Sequence, residues 1–100
     1  MIDKFKNVPL DDETTILAEH VYEIAGYDAL FQIWKWDGIV AQSIIFADAD
    51  ASEMSDSEIE EQIRSLNFIK KPETSLSINR SVKGFTFVNF TESPFGDDFD

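Results

Sequence analysis

Asp37-Gly38 stands between two runs, LFQIWKW at 30–36 and IVAQSIIF at 39–46, that are rich in β-branched and aromatic residues. That pattern is the strongest local signal for a hairpin, because a two-residue type I′ turn needs positive φ at both central positions, which Asp and Gly tolerate. Such a loop also dictates the register. It sets Trp36 opposite Ile39, Trp34 opposite Ala41, Gln32 opposite Ser43 and Leu30 opposite Ile45 on one face. The other face carries Phe31, Ile33 and Lys35 opposite Ile44, Gln42 and Val40. Both faces of the hairpin are apolar, so each needs a cover of some kind.

The flanking segments suggest two helices and a second hairpin. Residues 1–10 form a short lead-in, with Pro9 favouring an extended or turn conformation before it. Asp11, Asp12 and Glu13 suit the positive end of a helix, and Leu17, Val21, Ile24 and Ala25 recur at helical spacing before the terminator Gly26. SLSIN and FTFVNF read as strands, with Ser81-Val82-Lys83-Gly84 as the turn between them. FIKKPE, with Pro72, is a polar connection. The expected fold is α+β in the order α-β-β-α-β-β, a four-stranded antiparallel sheet with two helices on one face. Residues 1–92 make a single domain and 93–100 a flexible acidic tail.

Seven carboxylates crowd FADADASEMSDSEIEEQ, residues 46–62. The opening Asp48-x-Asp50-x-Ser52 resembles the start of a calcium loop. However, Glu53 stands where that loop needs its glycine and Ile59 where it needs its bidentate glutamate. A helix start accounts for more of the residues. Ser55 as N-cap places Glu58 at N3 in a capping box, and Met54 and Ile59 fall on the two positions of a hydrophobic staple. Ile59, Ile63 and Leu66 then form the buried stripe of a short helix ending near Asn67.

Catalytic constellations are missing. His20 is the sole histidine, there is no cysteine, and the four glycines are isolated, which leaves no nucleophile elbow, phosphate loop or tetrahedral metal site. Paired carboxylates arise by chance among twenty acids. The chain reads as a non-enzyme with no cofactor and no metal. It also lacks the long apolar run of a signal peptide or a membrane span, and the absence of cysteine suits a reducing compartment, so the expected location is the cytoplasm.

The charge points instead to a partner. Twenty acids against eight bases leave a net charge of −12, which repels nucleic acid and lipid head groups and speeds encounters with basic proteins. Residues 7–34 hold six acids and no base, and 48–63 hold seven acids and no base. With both expected helices on one side, Asp11, Asp12, Glu13, Asp48, Asp50, Glu53, Asp56, Glu58, Glu60 and Glu61 would make one continuous negative face. On the hairpin, Trp34 and Trp36 are the candidate anchors, because tryptophan is enriched at binding hot spots. The competing uses of that face are core beneath the helices, closure by the tail, or the seam of a homodimer.

YDALFQIWKWDGIVAQSIIFADAD, SDSEIEEQIRS and GFTFVNF together give a profile that resembles the small immunity proteins of bacterial contact-dependent growth inhibition and related polymorphic toxin systems. The resemblance is one of profile across about half the chain and carries no residue roles. It implies a partner, the toxin domain of a sibling effector, often a basic nuclease, whose active site is blocked or distorted. The alternatives are a DNA-mimic inhibitor of the anti-restriction or anti-CRISPR kind, and a non-inhibitory subunit or homodimer.

Overall fold

The computed structural model describes residues 5–9, 12–66 and 75–90. Asn67, the FIKKPE connection, Asp11 and the 93–100 tail lie outside them. Five strands form one antiparallel sheet: β1 (Thr15–Ile24), β2 (Tyr27–Trp36), β3 (Ile39–Ala47), β4 (Leu76–Val82) and β5 (Phe85–Phe90), in the spatial order β1-β2-β3-β5-β4. Two short helices, α1 (Asp48–Ala51) and α2 (Asp56–Arg64), connect β3 to β4.

The four-stranded α-β-β-α-β-β arrangement is therefore wrong, and the error lies in the first element. Thr15–Ile24 is a ten-residue strand paired antiparallel with β2. TILAEHVYEI supplies Thr, Ile, Val and Tyr, residues that lose χ1 freedom in a helix and pack well on a pleated surface. The helical reading put Leu17 and Val21 in the core, yet they are 51% and 38% exposed. Leu17 is the extra residue of a bulge, where the register slips between Ile16 and Ala18. Gly26 belongs to a tight turn, with φ of 55° at Ala25 and 85° at Gly26, both positive as in type I′. A helix C-cap and this turn both call for a left-handed residue, so glycine alone cannot tell them apart.

β2 and β3 pair in the register that the Asp37-Gly38 loop demands, from Trp36 opposite Ile39 to Leu30 opposite Ile45, with Asp37 and Gly38 at φ of 49° and 77°. The last hairpin turns at Lys83-Gly84, after a second register slip between Asn79 and Val82. That slip lets β4 run to Val82, beyond the five residues the sequence suggested.

Strand alternation divides the side chains between two faces. The helix face buries Ala29, Phe31, Ile33, Ile44, Phe46, Val88 and Phe90 together with Ala51, Met54, Ile59 and Ile63 from the helical segment. The opposite face buries Leu30, Ile45 and Phe85 under Phe5, with Val8 and Phe87 packed beside them. Phe5 and Val8 thus cover part of the second face, and Phe5 is only 1% exposed.

Hydrogen bonds tether the helices to the sheet. Ser55 and Glu58 close the capping box, Glu58 N donating to Ser55 Oγ at 3.1 Å and Ser55 N to Glu58 Oε1 at 3.3 Å. Arg80, on the edge strand β4, donates from Nη1 to the Ala51 carbonyl at 2.9 Å and from Nη2 to the Met54 carbonyl at 2.8 Å. Its Nε reaches Asp56 Oδ1 at 2.9 Å. One guanidinium thus caps the Met54 carbonyl and adds a second bond to that of Ala51, and its planar fork suits that work better than a lysine would.

Candidate functional site

Several acids of residues 46–62 make contacts within the fold, though Asp56 and Glu58 stay exposed to solvent. Asp48 Oδ1 accepts from Thr86 Oγ1 at 2.7 Å and from Ser81 N at 3.2 Å, which locks α1 against the last hairpin. Asp56 pairs with Arg80, Glu58 completes the cap, and Glu60 pairs with Arg64 at 2.9 Å one turn on. Asp50 is half-buried, while Glu53 and Glu61 are exposed. The Asp48-x-Asp50 pattern is a one-turn helix rather than an ion loop.

Because residues 12–24 are not a helix, the expected continuous acidic face of two helices does not exist. Asp12 and Glu13 lie where the chain enters β1, next to Thr15, which pairs with Lys35 near the Asp37-Gly38 turn. Asp48 lies at the other end of β3, where its backbone N–H donates to the Gly84 carbonyl at 3.0 Å. The length of β3 separates the two groups, about 30 Å at ~3.3 Å per residue. α1 and α2 pack on the helix face, whereas Thr14, which follows Glu13, lines a depression on the opposite one.

That opposite face carries both tryptophans, in different settings. Trp34 is half-buried, and its Nε1 donates to Ser43 Oγ at 2.9 Å. Ser43 Oγ in turn donates to Asn89 Oδ1 at 2.6 Å, so three strands share one polar chain. Beside it Gln32, only 7% exposed, donates from Nε2 to Glu19 Oε2 at 3.3 Å. Trp34, Gln32, Ser43, Phe87 and Asn89 line a shallow depression of about 200 Å³ whose rim includes Pro9 and Thr14. This floor is a satisfied polar network, and Trp34 is its wall.

Trp36 is the projecting residue. It is 39% exposed, and its cross-strand partner Ile39 is 58% exposed on the same face, with Val40 exposed on the other. The tip therefore presents an aromatic and two aliphatic side chains around Asp37, with Lys35 the nearby base. The structure places Trp34 and Trp36 on one face and packs the helical segment that carries Asp48, Asp50, Glu53, Asp56, Glu58, Glu60 and Glu61 on the other, while Asp12 and Glu13 precede β1.

Ile39 and the outer strand β1 were missing from the candidates drawn from sequence. The register of the first hairpin already pairs Ile39 with Trp36, so the tip could have been found from that pairing. β1 had no such signal, since it was read as a helix. Among the described residues no group of three metal-ligating side chains converges, and no helix is long and apolar enough to cross a membrane. No family model, curated protein or solved structure matches the chain.

Proposed function

We propose that this protein binds a basic protein partner and neutralises it, and that the partner is the toxin domain of a cognate effector. The observation that carries the reading is the tip at Trp36, Ile39 and Val40: large apolar side chains held out by a rigid hairpin on a chain of net charge −12. A desolvated aromatic anchor supplies binding energy, and the surrounding negative field steers a basic partner toward it. The cytoplasm of the producing cell is where such a protein would meet a toxin.

A DNA mimic draws less support. It needs acids spaced like phosphates along one surface, whereas Asp48, Asp56, Glu58 and Glu60 are held in contacts within the fold.

The test is co-expression with the toxin domain encoded beside the gene. Growth rescue by the wild type and its loss in Trp36→Ala/Ile39→Asp, with the melting temperature kept, are the expected results. Failure of the wild type to rescue or to bind the toxin domain ends the reading. Full affinity in the double variant removes the tip from it.

A further inference from the structure

Among the described residues β1 is the outermost strand of the sheet, and its pairing to β2 uses only one of its two edges. After the bulge at Leu17, Ala18–Ile24 runs in unbroken register, seven residues long. An open edge of that length is a template for another chain, and proteins commonly blunt such edges with lysine or proline. β1 contains neither. It bears exposed Val21 and Tyr22, each 38% accessible, and a hollow of about 270 Å³ opens at its middle, lined by Glu19, His20, Val21 and Leu30.

The two faces of this edge have distinct chemistries. Glu19, Val21 and Glu23 pair with Gln32, Leu30 and Asp28, which puts them in one row on the tryptophan side. His20 and Tyr22 pair with Phe31 and Ala29 on the helix side, where Tyr22 meets Phe31 edge-on with ring centroids 6.2 Å apart. An incoming strand matches this row best if it alternates basic, apolar, basic, because side chains directly across a ladder interact and like charges repel. A second copy of the chain is a poor match: antiparallel pairing would bring its own Glu19 and Glu23 into the adjoining row, between two molecules each of charge −12.

We infer that β1 receives an extended segment of the basic partner by strand addition along Ala18–Ile24, with basic side chains beside Glu19 and Glu23 and an apolar one in the hollow at Val21. This deepens the toxin-binding reading and rests on it for the partner's identity. Backbone hydrogen bonds to the open edge give the affinity, and the alternating row gives the selectivity.

The probe is a capped synthetic peptide with lysine, valine and lysine at alternate positions and threonine or tyrosine between them. Titration into the full chain, followed by amide NMR and hydrogen exchange, is expected to shift and protect residues 18–24. A peptide of the same composition with adjacent lysines, which then fall on opposite faces, is expected to do neither. Glu19→Lys/Glu23→Lys is expected to lower affinity for the lysine peptide at least tenfold, and a glutamate–valine–glutamate peptide to restore it. Exchange at 18–24 unchanged at millimolar peptide overturns the inference. So does protection located elsewhere, or sedimentation showing a peptide-free dimer that itself protects β1. None of these readouts involves the toxin domain, so a failed rescue assay and a failed strand addition are told apart.

Discussion

The two faces of the sheet are made from the same strands yet are closed in different ways. On the helix face, side chains from four strands meet Ala51, Met54, Ile59 and Ile63 in one continuous apolar cluster. On the tryptophan face a five-residue segment, Phe5–Pro9, replaces the helices, and it reaches only part of the surface. Its apolar patch is small, around Phe5, Leu30, Ile45 and Phe85. Beyond that lie Gln32, Ser43 and Asn89 with their hydrogen bonds, and then the open tip. Apolar content alone therefore does not decide which face of a sheet becomes core. What decides is which segments pack against it: among the described residues, the helices cover one apolar face fully and Phe5–Pro9 covers the other in part.

The comparison can be broken by substitution. Phe46→Ala on the helix face is expected to cost about 3–5 kcal/mol, since Phe46 is fully buried among side chains that cannot collapse into the space. A urea denaturation midpoint close to wild type would mean that the helices do not seal that face. Arg80→Ala tests how the helices are held. It strands the Met54 carbonyl and leaves Ala51's with only its bond from the Met54 N–H, and about 2 kcal/mol is the expected loss, with Arg80→Lys recovering little of it.

On the tryptophan face the effects shrink. Trp34→Phe keeps a ring in the depression but removes the bond to Ser43, for about 1 kcal/mol by thermal denaturation. A loss as large as that at Phe46 would show this face to be core after all. Trp36→Ala is expected to stay within about 0.5 kcal/mol of wild type in stability, while affinity for the toxin domain falls at least tenfold. Equal effects at Trp34 and Trp36 on both readouts would erase the distinction between wall and tip.

The turns show why part of this was legible beforehand. Asp37-Gly38 announced both its hairpin and its register, because few residue pairs accept positive φ twice in succession. Ala25-Gly26 makes the same kind of turn, with φ of 55° and 85°, but alanine advertises nothing. The glycine after it was equally good as a helix terminator. Ser55 and Glu58 were legible for the same reason as Asp37-Gly38: both sides of the capping box are local, three residues apart. Arg80 was not, because its partners Ala51 and Met54 lie 29 and 26 positions away.

TILAEHVYEI shows where local information ends. Its apolar residues satisfy a helical spacing and, with one bulge, a strand alternation as well. Taken alone, the segment carries no decisive preference. Apolar LFQIWKW needed a backbone partner on each edge, and with β3 on one side the adjacent chain was the nearest supplier for the other. The amino-acid sequence by itself determined the central hairpin, the register of its pairs, the capped start of α2 and the acidic charge, since each depends on contacts a few residues apart or on composition. Only the tertiary structure decided that Thr15–Ile24 is a strand, that Phe5 covers part of the second face and that Trp36 projects while Trp34 is a wall. Those outcomes depend on which surfaces remain to be covered once the central hairpin has formed, and local sequence does not encode that competition.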